Sequence, residues 1–121
     1  ISMDAADDIE SMPANYGVPV DRPLRGPGTA YYKLAENWAD LFDADDLLYT
    51  LSKSGIASNG DWWSGSDSSG NYASGYDCSG WSDGTNGSDG RFGNTNKTDS
   101  TWINGGDANC NTKKRVLCAC W

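Results

Sequence analysis

Four cysteines constrain this chain most, and two of them sit within its last four residues. The sequence closes on NTKKRVLCACW, with Cys118 and Cys120 one residue apart, and only Cys78 and Cys110 precede them. In a strand, residues two apart point to the same face with Cα atoms ~6.5–7 Å apart. That is at or beyond the upper limit for a disulfide, so Cys118 and Cys120 are not expected to bond each other. Spacing leaves open which of them pairs with Cys78 or Cys110, and where a leftover sulfur goes. The set lacks a CxxC pair and the chain has no histidine, so disulfides in an oxidising compartment fit better than a metal knuckle.

The 121 residues allow one domain with a single core. Fifteen glycines, together with many Ser, Asn, Asp and Thr, call for short elements joined by long polar loops. Six tryptophans and six tyrosines would supply much of the buried area, and a helical bundle is not expected. A net charge of −8 repels nucleic-acid backbones and anionic membrane surfaces. No apolar run approaches the ~20 residues of a membrane span, so neither nucleic acid nor membrane insertion is expected. The chain starts at Ile1 and not at Met, which reads as a processed product or a piece of a longer chain, with no signal peptide visible. Two sequons, at Asn86 and Asn96, suit a secreted, glycan-bearing surface.

Along the chain, the first third holds all four prolines and little periodicity. Ser2 is expected to cap a short turn that Pro13 stops, with irregular chain from Asn15 to Thr29. YKLAENWADLF, residues 32–42, is the one good helix candidate, with Leu34, Trp38, Leu41 and Phe42 at helical spacing. A second short turn carries Leu47, Leu48 and Leu51 before Gly55 stops it. DWWSG and CSGW read as short strands, separated by the turn-rich SDSSGNYASGYD and followed by the loop SDGTNGSDG. RVLCACW alternates Val116, Cys118 and Cys120 with Leu117, Ala119 and Trp121. Neither face is polar, which predicts a central strand buried on both sides.

Taken in order, NWADLFD, WWSGSDSSGN, DCSGW, GRFGNT, STWINGG and NCNTKKRVLCACW resemble the endostatin-like branch of the C-type lectin-like fold. That branch includes endostatin and a bacterial secreted domain of uncharacterised function. The resemblance covers roughly residues 9 to 121 and implies an α+β, loop-rich, disulfide-stabilised fold. In it, residues 34–121 form the lectin-like core and residues 1–33 an extended N-terminal segment packed upon it. It implies a bond between Cys78 and Cys110, which would close the loop-rich region and contribute roughly 3–4 kcal/mol in the chain-entropy model. In the family the last-strand cysteine, here Cys118, normally bonds a cysteine of an early helix, and neither that helix nor its flanking strands are visible in this sequence. Cys120 is an extra. The complement of Cys118 and Cys120 is therefore expected from a missing N-terminal segment or from another chain.

Asp43, Asp45 and Asp46 are the candidate calcium ligands, since a hard cation wants several carboxylate oxygens. The plainer reading is a solvated acidic turn. DGTNGSDG fails the EF-hand spacing, and the only glutamates, Glu10 and Glu36, lie elsewhere. No cofactor is required, and Ca²⁺ is the one ion with a candidate site. Trp62, Trp63 and Trp81, with Trp102, are the rings that sugars could stack on, although tryptophans in such places more often form core. The sugar-binding tripeptides of calcium-dependent lectins are absent, as are the histidines of endostatin's zinc site and its arginine-rich heparin surface. Without histidine, Ser-His and Cys-His nucleophile systems are excluded, and no carboxylate pair stands out for glycoside hydrolysis. Lys113–Arg115 is the only basic run and is expected to pair with acidic surface or to form half of a charge-complementary contact.

The reading is thus a non-enzymatic module, secreted, extracellular or on a cell surface, that works by association with itself or another protein chain. A subunit of a self-assembling filament is its most specific form, since absent N-terminal elements would leave a sheet edge exposed. The alternative is an adhesion or glycan-binding domain of a larger secreted protein.

Overall fold

The computed structural model describes residues 1–27, 32–43 and 47–121. A short helix, α1 (Met12–Tyr16), precedes β1 (Leu24–Arg25), which pairs antiparallel with β2 (Lys33–Ala35). A second antiparallel sheet has the order β3 (Asp61–Trp63), β4 (Asp89–Asn94), β5 (Gly106–Asn109). One disulfide, Cys78–Cys110, completes a small mixed α/β domain.

Strand alternation in the second sheet organises the core. Trp62 lies opposite Gly93 and is 2% exposed, with its ring stacked on Trp102 at a centroid distance of 5.8 Å. Its indole N–H donates to the Trp102 carbonyl at 2.9 Å, which satisfies the polar end of a buried ring. A Cβ on Gly93 would lie 2.0 Å from that carbonyl oxygen, so the approach requires glycine there. Ile103, Leu41, Leu47, Leu51 and Trp38 close the same cluster, and Phe42 packs against it. Trp63 points to the opposite face beside Phe92 and Trp81.

Several sequence expectations are corrected. Residues 32–42 are not a helix: they form β2, a bend and a single 3-10 turn at Ala39–Leu41. Leu34, Trp38 and Leu41 are nevertheless buried, so the apolar spacing marked core without marking conformation. Pro13 does not end a turn; it stands in the first turn of α1, where its missing N–H is harmless. Ser2 is no acidic-turn cap. Its hydroxyl is fully buried, shares a 2.8 Å hydrogen bond with Ser66 and accepts from the Ile9 N–H, while Asp4 caps the turn that follows.

CSGW is not a strand but one turn wound left-handed. Cys78, Ser79, Gly80 and Trp81 all have φ between 50° and 68°, and the N–H groups of Trp81 and Ser82 bond four residues back. Left-handed winding costs L-residues roughly 1–2 kcal/mol each, so surrounding contacts must hold it. Cys78 is tied to Cys110 at a Cα separation of 5.6 Å, and the Trp81 indole donates to the Ser2 carbonyl at 2.9 Å.

RVLCACW is not a buried central strand. Arg115 alone joins the outer edge of β3, in parallel, through Trp63 N–H to its carbonyl at 2.8 Å and its own N–H to Asp61. The N–H groups of Ser64 and Gly65 both reach the Arg91 carbonyl, a bulge that turns the Ser64 carbonyl toward the outer edge. Ser2 N–H takes that carbonyl at 2.8 Å. The place where the last strand would continue is therefore filled by the N-terminal segment, and residues 116–121 leave the sheet.

Candidate functional site

Two neighbouring features grow from this arrangement. The first is the segment released at Arg115. Val116 is 57% exposed and Trp121 60%, and Cys118 and Cys120 are exposed and free. Leu117 alone packs back on the core. The segment thus sets two large apolar side chains beside two thiols at the surface. Among the described residues no strand pairs with the outer edge of β5.

The second feature lies at the root of that segment, beside a cavity of about 360 Å³ lined by Asp61, Lys113, Lys114 and Arg115. The side chain of Lys114 is only 8% exposed. Its ammonium lies 3.9 Å from the Phe92 ring centroid and 5.4 Å from that of Trp63, and pairs with Asp61 Oδ2 at 3.0 Å. The other carboxylate oxygen, Oδ1, accepts from Asn94 Nδ2 at 3.0 Å. The cross-strand register that sets Asp61 opposite Asn94 places these two, and the chain turn before Arg115 brings in the lysine. Part of the basic run thus pairs with a carboxylate, as its sequence suggested. Arg115 donates to Ser58 Oγ at 2.8 Å.

The other candidate residues are dispersed. Cys78 and Cys110 are bonded, as the family resemblance implied, while Cys118 and Cys120 have no partner within the chain. Of the calcium candidates, Asp43 is exposed, and Asp45 and Asp46 lie outside the described residues. Among the described residues no group of three or more Cys, Asp or Glu side chains is arranged to hold a metal ion. Trp62 and Trp63 are buried and offer no ring face to a sugar, which corrects that expectation; Trp81 is half-buried against Trp63. Asn86 and Asn96 are both exposed, and Asn96 Oδ1 accepts from Ser52 Oγ at 2.7 Å. No described helix is long and apolar enough to cross a membrane.

Four surface groups have shifted titration. Hydrogen bonds from Ser88 and Thr85 hold the Asp83 carboxyl below its ordinary value, and those from Thr101 do the same for Asp99. The Tyr16 and Tyr72 hydroxyls are raised, first because they donate to Asp7 and Asp77 respectively. Asp83 and Asp99 close local turns, and the two tyrosine hydroxyls tie their loops to Asp7 and Asp77. Comparison of the chain with protein-family models, curated proteins and solved structures finds no match.

Proposed function

We propose that this protein is a non-enzymatic extracellular module of C-type lectin-like, endostatin-like architecture that works by associating with further copies of itself. In its most specific form it is a subunit of a self-assembling surface or extracellular filament. The observation that carries this reading is the segment 116–121, which leaves β3 with exposed Val116, Trp121 and two free thiols. An unladdered extended segment and the β5 edge that no described strand pairs with are complementary needs, because strand addition satisfies the backbone groups of both. A segment of one copy on the edge of the next is a heterologous contact, and its repetition gives a fibre. The intrachain disulfide supports an oxidising, secreted setting in which Cys118 or Cys120 would seal such a contact.

Electrophoresis of the oxidised protein with and without reductant, alongside light scattering, tests the reading. A ladder that collapses on reduction is expected, and Cys118→Ser with Cys120→Ser should abolish the ladder while leaving weaker non-covalent association. A monomeric mass in light scattering at every concentration overturns it.

A further inference from the structure

We propose that Lys114 and Asn94 become joined by a side-chain amide bond, formed without another enzyme and with Asp61 as the proton carrier. The three groups that such a reaction needs are assembled already. Lys114 supplies an amine whose side chain is almost fully buried against Phe92, Asp61 receives it at 3.0 Å, and the same carboxylate holds the Asn94 carboxamide nitrogen at 3.0 Å. Two oxygens of one carboxylate thus make the amine and the carboxamide neighbours. The carboxamide oxygen, Asn94 Oδ1, accepts the Asn96 N–H at 2.9 Å, a donor placed where negative charge would develop.

The step balances without any further reagent. A proton passes from the Lys114 ammonium to Asp61, and the neutral Nζ attacks Asn94 Cγ, forming the C–N bond while the carbonyl electron pair moves onto Oδ1. Collapse of this tetrahedral centre restores the carbonyl and breaks Cγ–Nδ2 as Asp61 returns its proton to the departing nitrogen, and the extra proton left on Nζ then passes through Asp61 to water. Amine and carboxamide become a secondary amide plus ammonia, with no change of oxidation state. Ammonia leaves through the adjoining cavity lined by Asp61, Lys113 and Arg115. Holding the reactants in place converts a slow bimolecular amidation into an intramolecular one. The bond would fasten β4 directly to the root of segment 116–121, so a pull on that segment would load the sheet rather than one parallel bridge at Arg115.

Intact mass spectrometry of the folded, oxidised full chain under denaturing conditions tests this. The expected mass is lower by about 17 Da, one ammonia, than that of the disulfide-bonded chain, and digestion yields a branched peptide joining Lys114 to Asn94. Lys114→Arg and Asp61→Ala should each restore the full mass. Cyclisation at an Asn-Gly pair such as Asn86-Gly87 also loses about 17 Da, but hydroxylamine cleaves that product and leaves a side-chain amide intact. Full mass in the wild-type protein overturns the proposal. So does a loss that survives in Lys114→Arg, or one of about 18 Da placing the bond at Asp61 with loss of water.

Discussion

Asp99 shows how individual residues stabilise this loop-rich chain. Its carboxylate accepts from the Thr101 N–H at 3.0 Å and also from the Thr101 hydroxyl, capping the 3-10 turn Ser100–Trp102 that carries buried Trp102. Asp83 is held in the same way by Thr85 and Ser88. Because their folded values are depressed, these carboxylates add stability above the ordinary Asp value of about 4, and lose it as pH falls through the folded values. Tyr16 and Tyr72 have raised folded values, so their contribution is whole below about pH 10 and is lost as pH rises through the folded values. All four groups lie at the surface, so the slopes are shallow. Denaturant midpoints should fall on the acid side of about pH 4 and on the alkaline side of about pH 10. Between them they should rise with pH toward about 8, because burial lowers the value of the Ile1 amino group. Tyr72→Phe should flatten part of the alkaline fall; an unchanged alkaline limb in both Tyr→Phe variants would count against the assignment. A larger loss, roughly 3–4 kcal/mol in the chain-entropy model, is expected from Cys78→Ala with Cys110→Ala, read by urea unfolding of the double variant.

At the scale of elements, the left-handed turn Cys78–Trp81 offers a direct check. Ser79 has φ 56° and ψ 54°, a region that L-residues other than glycine enter at a cost. Ser79→Gly should therefore raise stability by about 1 kcal/mol in thermal or urea unfolding; a loss would show that Ser79 is held there by contacts glycine forfeits. Such a turn is hard to read from CSGW, since its winding depends on Asp77 carbonyl, Cys110 and Ser2, all supplied by the folded chain. The strand at Asp61–Trp63 was legible because two adjacent aromatic residues ask for opposite faces of a sheet. The helix expected over 32–42 failed because its backbone groups are claimed elsewhere: Leu34 gives its carbonyl to the Leu48 N–H, and Ala35 pairs with Leu24. Residues 115–121 carry the pattern of a buried strand, but Ser2 already holds the edge at Ser64. Competition between two segments for one strand edge leaves no mark in either segment alone.

For the whole molecule, the net charge of −8 opposes the proposed association. Raising salt from about 0.01 M to about 0.15 M shortens the Debye length from ~30 to ~8 Å and should strengthen assembly, which light scattering at fixed protein concentration will show. Weakening with salt would assign the contact to ion pairs rather than to the apolar segment. The unmatched thiols at Cys118 and Cys120 were visible in the sequence as a question of partners. The Asp61, Asn94 and Lys114 group was not, because its contacts span 33 and 53 positions and arise only from strand register and the path of the chain end. The segment these residues anchor is where self-association is expected to act, and negative-stain electron microscopy of the oxidised protein at physiological salt tests that most directly. Filaments built from a repeating single domain are the expected result, lost when Val116→Asp and Trp121→Asp are introduced together. A field of separate monomers at every concentration would contradict it.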